Sequence, residues 1–295
     1  MHLASGIGNI VLATPLLDVL ARNSFAVDLL LDADYAGVGE LFEGWSAVRC
    51  VQSGRTLALT SYEHVVVAVP PFYWRRFCSR YARLGVFRPP DELFYENEQA
   101  YYLEFARFLG CDVGDASRYF LPIHRHGVGG TIVFAPGSKP AEMAAKRWPF
   151  FPELAAAFDD VALVGAGDDL ARFDDTAIDF PSHVRSYIGR LSLIETASVM
   201  ATAAAVVAND CGLGHLAGAL GVPTVLLFGP TPHRTLGPLP PNVRVLRAGL
   251  QCEPCWFGAR FRACSGRIEC LRQLRLETVI EAVRDARASA TARAM

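Results

Sequence analysis

The chain reads as an α/β protein made of two doubly wound, Rossmann-like parallel-sheet domains. Short β-branched runs alternate with helical patterns, which is the rhythm of βαβ units. That rhythm restarts after Pro122. The length of 295 residues exceeds the usual single core of about 100 to 150 and suits two domains. With 52% hydrophobic and 20% charged residues, the chain carries enough apolar surface to offset the entropy of ordering, which excludes disorder for its bulk.

The elements follow in order. A Gly6-Ile7-Gly8 turn opens a helical pattern over 9–22, leaving only residues 1–5 for the strand that should precede it. Either that strand is very short or the start is truncated. Runs at 25–31, 47–51 and 64–69 read as strands, and 72–84 and 96–109 as helices. The polar, glycine-rich stretch 124–130 fits a linker, so the expected domains are 1–127 and 128–295. In the second half, strands are expected at 131–135, 161–164, 204–208, 224–228 and 243–246, and helices at 151–158, 192–201 and 212–220. A further helix is expected at 277–293.

Charge narrows the function. The 28 Lys and Arg nearly balance 30 Asp and Glu, for a net charge of −2, and no long basic run exists. The counterion-release footprint of a nucleic-acid binder is therefore missing. No apolar stretch reaches the roughly 18 residues of a membrane span, and no basic segment precedes the first apolar run. The expected location is the cytoplasm.

Three segments carry candidate chemistry. The Gly6-x-Gly8-Asn9 turn aims free backbone N–H groups at whatever sits above it, though such a turn also occurs as plain geometry. The loop Ala135-Pro136-Gly137-Ser138-Lys139, followed by Lys146-Arg147-Trp148-Pro149, combines small residues with cations ahead of a helix. Lys139 and Lys146 are the only lysines in the chain, and a compact ammonium suits a crowded phosphate site. Two solvated surface lysines are the plain alternative. In Asn209-Asp210-Cys211-Gly212-Leu213-Gly214-His215, a strand ends in an acid and turns into a helix, at the sheet edge where ligands bind. Here the alternative is a helix-capping Asp210 beside an internal histidine. Asp168 and Asp169 follow another strand-to-helix turn, placed either for ribose hydroxyls or as caps. Finally, Cys252-x2-Cys255-x8-Cys264-x5-Cys270 is a spacing that can fold four thiolates round one zinc or iron, against the alternative of buried or reactive thiols in a reducing compartment.

Together, the Gly-x-Gly start with Thr14-Pro15-x-Leu17, the Pro-Gly-Ser loop leading to Lys-Arg-Trp-Pro, the block from Asn209 to Thr231 and the Cys-x-Pro-Cys segment resemble the heptosyltransferases of glycosyltransferase family 9. The resemblance implies the GT-B architecture, with two Rossmann-like domains facing across a cleft. It implies inverting transfer of a heptose or related sugar from an ADP-sugar to a lipopolysaccharide core or other cell-surface glycan, with no cofactor for transfer. Lys146 would neutralise the donor phosphates and Asp210 would hold the sugar. Ser138, Lys139, Cys211, Gly212 and His215 would surround the diphosphate, Asp168 or Asp169 would meet the ribose, and Leu191 and Ser192 the adenine. Gly8 and Asn9 would face the acceptor. A lipid-linked acceptor would add loose contact with the inner membrane through the aromatic and arginine patches at 72–76 and 87–88, the alternative being that those aromatics belong to the core.

One position departs from the family pattern. Asn9 stands where the family has aspartate, its proposed general base, and an amide does not accept a proton at neutral pH. Either another acid on the acceptor side, Glu96 or Glu98, serves in its place, or Asn9 only orients the acceptor, or the chain is a weakly active or non-catalytic nucleotide-sugar-binding protein. A nicotinamide dehydrogenase is disfavoured, because Val11 stands where the third fingerprint glycine belongs.

Overall fold

Two separate parallel sheets organise the chain. The computed structural model describes all residues except 5, 55–60, 82–83, 85, 124–128, 139–144, 168, 171–177, 257–260, 262–263, 265–266 and 295. One compact unit comprises Met1–Ile123 together with Arg234–Leu239, and the other His124–His233 with Pro240–Met295.

The first unit holds a four-stranded sheet in the order β3-β2-β1-β4, with β1 His2–Leu3, β2 Asp28–Leu31, β3 Cys50–Ser53 and β4 Val67–Ala68. All its pairings are parallel. The strand before the glycine turn is therefore present and two residues long, central in its sheet. Gly6, at φ 59, takes the chain out of it into α1 Ile7–Leu12. The sequence pattern predicts one helix over 9–22, but two form, because Pro15 has no N–H to give the Val11 carbonyl. The Thr14 hydroxyl donates to that carbonyl instead, at 2.7 Å, and α2 Thr14–Arg22 starts afresh.

A 3₁₀ segment at Ala33–Phe42 was not legible in the pattern. The expected helix 72–84 is a 3₁₀ turn at Pro71–Tyr73 followed by α3 Trp74–Tyr81. The expected helix 96–109 is α5 Glu98–Phe108, which packs on α2, and a separate helix that the pattern did not predict, α4 Asp91–Glu96, precedes it across Asn97. The late segment 234–239 belongs to this unit through Gln99, whose amide donates to the Leu236 carbonyl at 2.6 Å and the Pro238 carbonyl at 3.0 Å.

The second unit holds a six-stranded parallel sheet in the order β10-β9-β8-β5-β6-β7. Its strands are β5 Ile132–Ala135, β6 Val161–Leu163, β7 Arg185–Ser186, β8 Ala205–Asn209, β9 Thr224–Leu227 and β10 Val243–Leu246. Strands β5, β6, β8 and β9 are buried throughout, as strands covered on both faces must be, and for that reason they read as unbroken apolar runs. Helices α6 Phe151–Ala155, α7 Leu193–Ala201 and α8 Gly212–Ala219 alternate with them, and the C-terminal helix Leu276–Ala294 packs against β8 and β9.

Candidate active site

Strand order fixes where the second unit can hold a ligand. From β5 the chain runs to β6 and β7 on one side and then to β8, β9 and β10 on the other, so the topological switch lies between β5 and β8. In doubly wound sheets ligands bind off the carboxyl ends of the strands at such a point. The loop after β5 carries Pro136, Gly137 and Ser138, and β8 ends in Asn209 and Asp210.

Asn209, fully buried, ties these pieces together. Its Oδ1 accepts the Trp148 N–H at 2.9 Å and its Nδ2 donates to the Pro136 carbonyl. The loop after β5, the Lys146–Trp148 segment and the end of β8 are thereby held as one piece. Trp148 is locked in turn by its indole N–H, which donates to the Leu274 carbonyl at 3.2 Å.

On this frame stands a buried charge cluster. Lys146 Nζ lies 2.7 Å from Asp210 Oδ2, and His215 Nε2 lies 3.2 Å from Asp210 Oδ1. Burial by itself raises the proton affinity of Asp210, but Lys146 and His215 override it and hold the carboxyl well below the usual carboxylate range. Asp210 is thus a charged acceptor with both oxygens oriented. His215 reaches it because α8 begins at Gly212 and runs close to the sheet. Gly214 permits that approach, since a Cβ there would lie 2.5 Å from Leu226 Cδ2. Cys211 precedes the helix as its N-cap, and burial pushes its thiol up to about 11, so it is neutral at physiological pH.

Trp256 adds a wall, its ring 5.8 Å from Lys146 Nζ. The Cys255 and Trp256 N–H groups donate to the Pro230 carbonyl at 2.9 and 3.0 Å, so the cysteine segment docks on the loop after β9 and carries the indole to the lysine. Trp256, Asn209 and Arg147 are site residues that single-residue reasoning passed over, although all three lie beside positions it selected.

Ser138 and Asp169 converge on Arg147. Its Nε and Nη2 donate to the Ser138 hydroxyl at 3.1 Å and carbonyl at 2.9 Å, and Nη2 lies 3.8 Å from Asp169 Oδ1. The Asp169 carboxylate also accepts the Ala166 N–H at 2.7 Å. It fills space that Gly137 and Gly165 leave open, for a Cβ on either would overlap it. Asp169 therefore points inward, bonded within its own turn and paired with Arg147. Ser192 is the N-cap of α7, in a reciprocal capping box with Glu195. Leu191 lies beside it, half-buried. Lys139 and Asp168 lie outside the described residues.

In the first unit Asn9, beside Gly8 on α1, meets an acid from α5. Its Nδ2 donates to Glu98 Oε1 at 2.6 Å, and the Tyr102 hydroxyl donates to the same oxygen at 3.2 Å. Glu98 is 7% exposed. Glu96, the other expected acid, is exposed at the end of α4 and takes no part in this contact. Nearby on the same unit, Pro71, Phe72, Trp74, Arg75, Arg88 and Asp91 line a 410 Å³ pocket, with the Arg88 guanidinium over the Trp74 ring.

The cysteine segment differs from a preformed metal cage. Among the described residues no group of three or more His, Cys, Asp or Glu side chains is arranged to hold a metal. Cys270 is buried and its thiol is pushed up to about 12, first by burial and then by negative neighbours including Glu253, Cys255 and Cys252. Cys264 and Cys255 are half-buried and Cys252 is exposed.

Comparison with known proteins settles the relationship. The family model described as glycosyltransferase family 9 (heptosyltransferase) matches residues 102–259. The chain belongs to this family. It is 50% identical over 66 residues to the lipopolysaccharide heptosyltransferase 1 of Pseudomonas aeruginosa, a match covering 22% of this chain and 19% of that protein. It is 32% identical over 126 residues to the lipooligosaccharide heptosyltransferase 2 of Haemophilus influenzae, covering 39% of this chain and 36% of the relative. The matches thus span well under half the length of these curated relatives. The structure of the E. coli ADP-heptose lipopolysaccharide heptosyltransferase II superposes with a TM-score of 0.71 at 20% identity, over 98% of both chains, which gives this family 9 member the GT-B fold.

Proposed function

We propose that this family 9 member is an inverting glycosyltransferase that moves a heptose or related sugar from an ADP-sugar to a lipopolysaccharide core or other cell-surface glycan. The observation that carries the reading is the Lys146–Asp210–His215 cluster at the switch point of the second sheet. An ammonium held against a charged carboxylate, both withdrawn from water, offers a phosphate-neutralising cation and a sugar-hydroxyl acceptor side by side. In this reading Lys146, the Ser138 loop with Lys139, and the backbone at Cys211 and Gly212 take the diphosphate. Asp210 takes the sugar, His215 fixes Asp210, and Leu191 and Ser192, with Asp168 by the family resemblance, are assigned to the nucleoside. The second unit binds the donor and the first unit the acceptor, whose anionic or lipid-linked parts fit the arginine and aromatic pocket at Trp74 and Arg88.

Transfer proceeds by displacement at the anomeric carbon. The acceptor oxygen bonds to that carbon as the bond to the diphosphate breaks, and the departing electron pair stays on the ADP oxygen. Lys146 balances the charge that grows there, so the reading requires no divalent cation. A nucleotide-sugar donor suits the cytoplasm, and among the described residues no helix is long and apolar enough to cross a membrane.

The four cysteines fit iron or zinc by donor chemistry and spacing, not by their present geometry. Such a metal would be structural, holding the segment that carries Trp256. Protein purified without added metal is expected to contain about one iron or zinc per chain; four titratable thiols and no metal would remove that part of the reading.

The test of the main reading is calorimetric binding of ADP, UDP and GDP. Selective ADP binding that is lost in Lys146→Ala, with transfer from ADP-heptose to heptose-free lipopolysaccharide, is the expected result. A well-folded protein that binds none of the three overturns it.

A further inference from the structure

We infer that Glu98 is the catalytic base, a carboxylate in the first turn of α5 serving where residue 9, in the first turn of α1, has none. The inference rests on the transfer reading above and deepens it. Displacement leaves a proton on the attacking hydroxyl, and residue 9, an amide, does not take it. The structure brings a carboxylate to the same spot from 89 residues away, with Glu98 Oε1 2.6 Å from Asn9 Nδ2.

Three features fit that role. The placement is specific: the chain breaks between α4 and α5 at Asn97, whose side chain accepts the Ala100 N–H at 2.9 Å. That break leaves Glu96 exposed while Glu98 starts the next helix facing inward. The carboxylate is oriented by two donors, Asn9 Nδ2 and the Tyr102 hydroxyl, converging on one oxygen. Lastly, its partner lies on α1, which follows the central strand of its sheet, and β1 and β4 flank the point where that sheet's strand order reverses. A ligand held off the carboxyl ends of those strands meets the start of α1.

As the acceptor oxygen bonds to the anomeric carbon, its proton passes to a Glu98 carboxylate oxygen and from there to solvent once the product leaves. Asn9 donates to Glu98 and lies beside the acceptor, so it orients both without changing charge.

The test compares Glu98→Gln, Asn9→Asp and the double variant in transfer from ADP-heptose to heptose-free lipopolysaccharide, with ADP binding measured in parallel. Glutamine still accepts from Asn9 and Tyr102 but takes no proton. Glu98→Gln is expected to lower kcat by about 10² to 10⁴ with ADP affinity unchanged, and Asn9→Asp in that background to restore at least about tenfold. Asn9→Asp alone sets two carboxylates against each other, so the acid limb of its pH–rate profile is expected to move to higher pH. That readout stands even where the Glu98→Gln variant fails to fold. Wild-type turnover combined with an active Glu98→Gln enzyme, or an unmoved acid limb in Asn9→Asp, overturns the assignment alone. A wild-type protein that binds ADP yet never releases it from ADP-heptose overturns the transfer reading and this assignment with it.

Discussion

Replacing Lys146 with methionine keeps the apolar stem and removes only the ammonium that lies 2.7 Å from Asp210. The two side chains are 15% and 10% exposed, so water replaces little of what is lost. Removing one partner of a buried ion pair costs about 3–5 kcal/mol, most of it from the charge left behind. His215 remains 3.2 Å from Asp210 and shares that load, which points to the lower end, about 3 kcal/mol. At about 2–4 °C per kcal/mol for a domain of this size, the melting temperature should fall by about 6–12 °C.

The assay is a double-mutant cycle of Lys146→Met, Asp210→Asn and the pair, followed by urea and thermal unfolding. The double variant should be at least about 1 kcal/mol more stable than the summed single effects predict. The pH dependence has a definite sign. The folded carboxyl of Asp210 titrates below its unfolded value, so it adds stability above the ordinary carboxylate range, and that stability is lost as pH falls toward the folded value. Without Lys146 the folded value rises, and the loss in acid should begin at higher pH. Additive single effects, or identical acid limbs in wild type and Lys146→Met, would refute the reasoning.

Two further outcomes follow from the packing. Asn209→Ala strands the Trp148 N–H and the Pro136 carbonyl inside the second unit, at about 1–3 kcal/mol for each; a loss under about 1 kcal/mol in urea titration would show that the asparagine does not hold the loops together. Gly137→Ala drives a Cβ into the Asp169 carboxyl and should cost about 1–3 kcal/mol. Asp169→Ala in that background should regain part of the loss, whereas a neutral single variant would mean that the carboxylate does not fill this space.

How far the sequence revealed these arrangements depended on distance along the chain. β8, β9 and the helix after Gly212 were legible because each is a local pattern, an unbroken apolar run followed by an acid, a glycine and a helix. His215 meets Asp210 only five residues away, a separation that strand-to-helix geometry determines almost alone. β7, two residues at the sheet edge, carries too little pattern to register, and the expected strand 64–69 shrinks to Val67–Ala68. Glu96 and Glu98 were indistinguishable in sequence. What separates them is one backbone break at Asn97 and the packing of α5 on α2, and neither leaves a periodic trace. The four cysteines show the reverse: their spacing is legible and their geometry is not, because donor chemistry is written in composition and convergence is not.

The segment 234–239 bears on how the units of such family 9 proteins are exchanged. It is encoded after β9, yet it gives Gln99 its two carbonyl partners and sets Gly237 against Asn97 and Gln99, next to Glu98. A chimera that imports residues 1–127 from a relative would bring a foreign α5 to a native 234–239 segment. The first turn of the helix that carries Glu98 would then lie on a mismatched surface. Successful grafts of the first unit should therefore be discontinuous, taking the six residues 234–239 along with the first 123.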